Sequence, residues 1–151
     1  MRKYILLLLI LSQLSCNPLN INLSKIKVKD WKGQSIDWKQ YEGKTLIVHF
    51  WASWCKDCLK EMPFWVQTKQ DLGADSSKVA FVFISDEDTA KVIPFVKERG
   101  YHFDFVQLQG TLKDVDIIYI PQTFVFDKKG KALASFGSHK WSAEEMRKWT
   151  E

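Results

Sequence analysis

Two apolar runs, "TLIVHFW" (45–51) and "VAFVFIS" (79–85), constrain this chain more than any other feature. Both are rich in Val, Ile and Phe with almost no polar break, which suits strands covered on both faces of a sheet. Between them Leu59, Met62, Trp65, Val66 and Leu72 recur at helical spacing, so the pattern predicts a helix over about 56–72. Strand, helix, strand in that order implies parallel strands joined by a right-handed crossover. An α/β fold follows.

The remaining patterns extend it. "DTAKVIPFVKERG" (88–100) predicts a second helix, ended by Gly100 with Lys97 and Arg99 in its last turn. Pro94 lies inside it and predicts a kink or a later start. "PQTFVFDKKGKALASF" (121–136) reads as two antiparallel strands joined by the "DKKG" turn. "SAEEMRKWT" (142–150) reads as a short closing helix, with Ser142 as cap and Glu145 completing a capping box. Upstream, "IKVKDWKGQSIDW" (26–38) alternates apolar and polar residues around Gly33, the pattern of an N-terminal β-hairpin. A chain of 151 residues holds one domain with a real core, and 46% hydrophobic with 26% charged residues is a globular composition.

The first fifteen residues, "MRKYILLLLILSQLS", join a basic start to an apolar run and then to small and polar residues, as secretory signals do. The run falls short of the roughly 20 apolar residues that a membrane-crossing helix needs. "LSQLSC" ends at Cys16 and resembles a bacterial lipoprotein signal, whose cysteine becomes the lipid-bearing first residue. Leu14 sits one place nearer the cysteine than in the usual pattern, and a plain secretory signal followed by a chance cysteine is the alternative. This divides the chain into a signal peptide (1–15), a lipidated tether (16–24) and a domain (25–151). Without Arg2 and Lys3 the chain carries 20 basic against 18 acidic side chains, too balanced for nucleic acid to be an expected partner.

With Cys16 assigned to a lipid, "HFWASWCKDCLKEMP" (49–63) holds the two remaining cysteines, Cys55 and Cys58. A structural zinc site commonly wants two ligand pairs; here one cysteine pair stands with three isolated histidines, His49, His102 and His139, so no metal is expected. A disulfide closing so short a loop constrains the unfolded chain little. Redox exchange fits better, because the pair sits between a buried strand and a helix in an exported protein. Cys55 should fall at the helix start, where unpaired N–H groups and the macrodipole favour a thiolate. Lys56 helps that thiolate and Asp57 opposes it. Cys58, one turn further in, is placed to resolve the mixed disulfide. Trp51 and Trp54 are expected at the rim.

"FWASWCKDC" with Pro63, and "IPQTFVFDKKGK" later, resemble a thioredoxin-fold protein, and "LKEMP" with the lipoprotein-like start resembles its exported TlpA/ResA-like branch. The resemblance implies a central mixed sheet flanked by helices, a cis bond before Pro121, and an Ile120 backbone that pairs with an incoming peptide. A simple strand-edge proline is the other reading of Pro121. It also implies that Glu61, three residues beyond Cys58 on the same helix face, takes the Cys58 proton; a solvated helix-face glutamate is the alternative. His49 stands where thioredoxins usually carry an aspartate, and reads either as a core histidine bonded to backbone or as a proton acceptor beneath Cys58. The "KD" between the cysteines matches no familiar dipeptide of a dedicated oxidant or reductant. The resulting expectation is a monomeric, cofactor-free thiol–disulfide oxidoreductase, lipid-anchored on the periplasmic face of a bacterial membrane. It would reduce disulfides of specific partner proteins, in a setting such as cytochrome c maturation, and draw electrons from a membrane donor. A metal-binding module or metallochaperone using the cysteine pair and a histidine is the alternative.

Overall fold

In the computed structural model, which describes Leu19 and residues 21–151, the two apolar runs form the middle of a six-stranded sheet. The expectations for the signal peptide and Cys16 lie outside the described residues. Strands β1 (Val28–Lys29), β2 (Thr45–Phe50), β3 (Val79–Ser85), β4 (Asp104–Leu108), β5 (Gln122–Phe126) and β6 (Ala132–Phe136) lie in the order β1-β4-β3-β2-β5-β6. β2, β3 and β4 are parallel, while β1 and the β5–β6 hairpin run antiparallel to their neighbours. Helices α1 (Lys56–Leu72) and α2 (Thr89–Glu98) make the two crossovers, and α3 (Ala143–Lys148) closes the domain. This is a thioredoxin-like fold.

Every residue of β2 and β3 is buried, and alternate side chains enter different cores. Ile47, Phe81 and Phe83 join Met62 and Trp65 of α1, Val92 and Val96 of α2, and Met146 of α3. All three helices therefore cover one face. Leu46, Val48, Val82 and Ile84 face the opposite core, which Leu23, Ile26, Tyr41 and Ile117 close without a long helix. Leu23 is buried there with Ile21 against it, so packing starts upstream of residue 25, within the segment read as a tether.

Three local expectations are modified. The N-terminal hairpin has its turn, with Gly33 at φ +80° donating to the Asp30 carbonyl, but its arms meet only in the short Lys29–Ser35 bridge, where Asp30 N–H donates to Gln34 O and Ile36 N–H to Val28 O. On their other side Val28 and Lys29 pair with Leu108 and Gln107 of β4 and join the sheet. Pro94 neither delays nor shortens α2: the Asp88 carboxylate accepts the Ala90 N–H at 2.8 Å and fixes the start at Thr89. At the other end Gly100 donates to Lys97 O and Tyr101 to Val96 O, a Schellman closure that needs the positive φ of Gly100. The capping box of α3 is half made. Ser142 Oγ accepts the Glu145 N–H at 3.2 Å, but the Glu145 carboxylate turns away to His139.

Candidate active site

The cysteines sit where β2 leaves the sheet. Trp51 N–H still bonds to Ile84 O, Cys55 N–H turns back to Ala52 O, and α1 begins at Lys56. Cys55 is the N-cap, with extended backbone, and its Sγ accepts the Cys58 N–H at 3.2 Å. The sulfur thus occupies the place of a capping oxygen, facing N–H groups that have no intrahelical acceptor. Cys55 and Cys58 are joined as a disulfide; Cys55 is 7% exposed and Cys58 fully buried. Lys56 follows Cys55 directly, and Asp57 is paired with Lys60 at 2.8 Å, which holds its carboxyl below the usual range.

The two tryptophans separate. Trp54 is 65% exposed beside Cys55, whereas Trp51 is fully buried against Phe95 and Phe105 and belongs to the core, not the rim. The antiparallel register of β2 with β5 sets Phe50 opposite Gln122, so Pro121 lies at the sheet end from which the Cys55 loop departs. The Ile120–Pro121 peptide bond is cis, Pro121 is buried, and the half-buried Ile120 touches both cores. Next to this end, Ile118 and Tyr119 are exposed.

His49 is a core histidine, but its partner is a side chain: Nδ1 shares a 2.8 Å hydrogen bond with Thr123 Oγ1. Packed edge-on to Trp65 and against Phe83, it is pushed by burial down to about 3, so it stays neutral wherever thiol exchange runs. His139 bonds to Glu145. Among the described residues no three His, Cys, Asp or Glu side chains converge as metal ligands.

Glu61 is not a solvated surface acid. Its residue is 4% exposed, on the α1 face shared with Cys58, Met62 and Trp65. Oε1 accepts the His139 N–H at 3.0 Å, Oε2 is buried away from water, and the Ser138 side chain beside them is a second, weaker donor to the carboxyl. Burial raises the carboxyl to about 7, against the lowering pull of the His139 N–H. A buried carboxyl titrating near neutrality, one helical turn from Cys58, is suited to proton exchange.

Glu87 carries a second polar network absent from the sequence reading. From the β3–α2 connection it accepts Ser53 N–H at 2.6 Å and Ser53 Oγ–H at 2.8 Å, and pairs with Lys91 at 2.7 Å. Ser53 lies two residues before Cys55, so this buried carboxylate braces the loop that carries the cysteine. The only sequence signal was an acidic run, "SDED", directly after β3.

A family model described as Redoxin matches residues 22–137. Thiol-disulfide oxidoreductase ResA of Bacillus thuringiensis is 31% identical over 108 residues, 70% of this chain and 62% of that protein. Sporulation thiol-disulfide oxidoreductase A of Bacillus subtilis is 32% identical over 114 residues, 73% of this chain and 68% of its own length. The match thus spans under two thirds of the ResA relative. The crystal structure of StoA from Bacillus subtilis superposes with a TM-score of 0.63 at 29% identity, over 83% of this chain and 95% of that one. The thioredoxin domain of a Bacteroides vulgatus thiol-disulfide oxidoreductase gives 0.71 at 23% identity, over 83% and 93%.

Proposed function

Because the chain belongs to the Redoxin family, we propose that it is a thiol–disulfide oxidoreductase that reduces disulfides of specific partner proteins outside the cytoplasm. The observation that carries the reading is Cys55 Sγ at the N-cap of α1, bonded to Cys58 and receiving the Cys58 N–H. In the reduced protein the same N–H groups and helix dipole stabilise a Cys55 thiolate.

That thiolate attacks one sulfur of a partner disulfide, expelling the other as a thiolate and forming a mixed disulfide. Cys58 then loses its proton to Glu61 and attacks Cys55 Sγ. The bond between Cys55 and the partner breaks, and the partner leaves as a dithiol once its sulfurs take up protons. Two electrons have passed to the partner and Cys55–Cys58 is a disulfide again, so a membrane donor must re-reduce it. Ile120 and Pro121 supply the docking edge for the partner backbone, with Trp54 beside it. No cofactor is needed, since the cysteine pair stores both electrons.

Cys55→Ser should abolish disulfide reduction in an insulin assay, while Cys58→Ser should trap partners as mixed disulfides. Faster alkylation of Cys58 than of Cys55 in the reduced protein would reverse the two roles. A reduction potential close to that of strong oxidants, about −120 mV, would reverse the direction of electron flow. The chain is held at the membrane through acylated Cys16. Among the described residues no helix is long and apolar enough to cross a membrane. Cys16→Ser should eliminate incorporation of labelled fatty acid, and an unlabelled wild-type protein rules out the anchor.

A further inference from the structure

His139 and Glu145 have no part in the exchange chemistry described above, yet both are tied to Glu61. His139 Nε2 donates to the Glu145 carboxylate, 2.8 and 3.0 Å from its two oxygens. The ring is held between Phe136 and Trp141, with centroids at 5.1 and 4.7 Å. The backbone N–H of the same residue donates to Glu61 Oε1. Glu145 has left its capping box to make this contact, although Ser142 still caps the Glu145 N–H. One side-chain clamp therefore fixes the peptide that Glu61 depends on.

We propose that Glu145, acting through the His139 ring, is a positioning residue that holds the His139 N–H on Glu61 Oε1 and so sets the pH at which Glu61 exchanges its proton. The inference rests on Glu61 as the acceptor of the Cys58 proton. In that step the Cys58 proton moves to the carboxylate, which becomes neutral while Cys58 becomes the attacking thiolate. A buried carboxyl that keeps the His139 N–H donor is a stronger acid than one that loses it. Without the clamp the loop can turn its N–H to water, and Glu61 then retains its proton to higher pH.

Charge alone makes the opposite demand. The titratable and charged groups around Glu61 are His139, whose backbone N–H and ring both favour its ionised form, Asp57, which opposes it, Lys60 and Lys140 lining the same pocket, and Glu145 on α3 behind the His139 ring. Removing Glu145 deletes a negative charge, which by itself would make Glu61 ionise at lower pH. In Glu145→Ala, positioning and the direct charge of Glu145 are thus separated by sign, whereas His139→Leu also removes the imidazole that favours the Glu61 carboxylate and moves the midpoint up on both accounts.

The test follows the Glu61 side-chain carboxyl carbon by NMR in the purified full chain labelled with ¹³C-glutamate, its signal assigned by its loss in Glu61→Gln. Glu145→Ala should raise the Glu61 midpoint by about one pH unit, the loss of one hydrogen bond to a charged group. Glu145→Gln, which still accepts from Nε2–H, should stay near the wild-type midpoint. His139→Leu keeps the apolar packing with Phe136 and Trp141 and should raise the midpoint at least as far as the alanine variant, which guards against a folding defect in either one. A lowered or unchanged midpoint in Glu145→Ala overturns the proposal. Resolution of the mixed disulfide, followed in single turnovers, should shift its pH profile by the same amount. A midpoint that moves while resolution does not leaves the clamp standing and removes Glu61 from the exchange step.

Discussion

Cys55 and Glu61 are polar groups on one helix with opposite environments. Cys55 sits at the start of α1, where N–H groups stabilise a negative sulfur. Glu61 is buried two turns further along, where a negative carboxylate is costly. Glu61→Gln should accordingly slow mixed-disulfide resolution without stopping its formation, as stopped-flow tryptophan fluorescence on single turnovers can show. An unchanged resolution rate between about pH 5 and 8 would leave Glu61 without a role in that step. The same substitution has a stability signature. The folded carboxyl is raised to about 7 from 4.5, so the native state resists ionisation that the unfolded chain undergoes freely. The cost is absent below about pH 4.5, grows between the two values and is complete above 7. Urea denaturation should therefore show Glu61→Gln gaining about 3 kcal/mol on the wild type between pH 4 and pH 8. No change in that difference would mean that the carboxyl titrates normally.

At the scale of elements, the site depends on how the β2–α1 loop is held. Its Ser53 is bonded through both backbone and hydroxyl to Glu87 on the β3–α2 connection. Burial works against the Glu87 charge, but Lys91 and the two Ser53 donors win and keep its carboxyl below the ordinary range. Glu87→Ala should cost about 1–3 kcal/mol, since it strips two donors of their partner. It should also accelerate amide exchange at Ser53 and Trp54. Because the folded value is depressed, this contribution is present above about pH 4.5 and is lost as pH falls through the folded value. Wild type and variant should converge in acid, and a gap that persists there would locate the effect in packing, not charge. α2 shows how caps override a breaker. Asp88 at its start and the Gly100 closure at its end define a helix that Pro94 does not interrupt.

At the scale of the molecule, one aromatic residue ties the layers together. Trp65 on α1 stacks on Trp141 at 4.7 Å and packs against His49, Phe81 and Phe83 of the central strands. Behind it the chain end is secured by Thr45 Oγ1 donating to Trp149 O at 2.7 Å. Trp65→Ala should cost about 3–5 kcal/mol by opening a cavity, a large share of the 5–15 kcal/mol typical of a whole domain. A loss below about 1 kcal/mol would show that the layer repacks.

Periodicity and junction chemistry are local properties, so the sequence alone determined most of the architecture. Continuous Val, Ile and Phe runs mark strands with apolar layers on both faces, and β3 spans residues 79–85 as that pattern requires. A cysteine pair directly after such a strand falls at a helix start because the helix must begin there to cross back over the sheet. Which polar groups meet was decided only by tertiary structure. Glu61 finds its donor 78 residues away at His139, and Ser53 finds Glu87 across 34. Trp51 and Trp54 look alike in sequence, yet the end of β2 turns one into the core and leaves the other in solvent. Glu145 has the spacing of a capping box, but a histidine brought beside it by the β6–α3 loop takes its carboxylate instead. Spacing along a helix states which face a side chain occupies; only the packed neighbours decide whether that face is water, a hydrogen-bond donor or the interior of the protein.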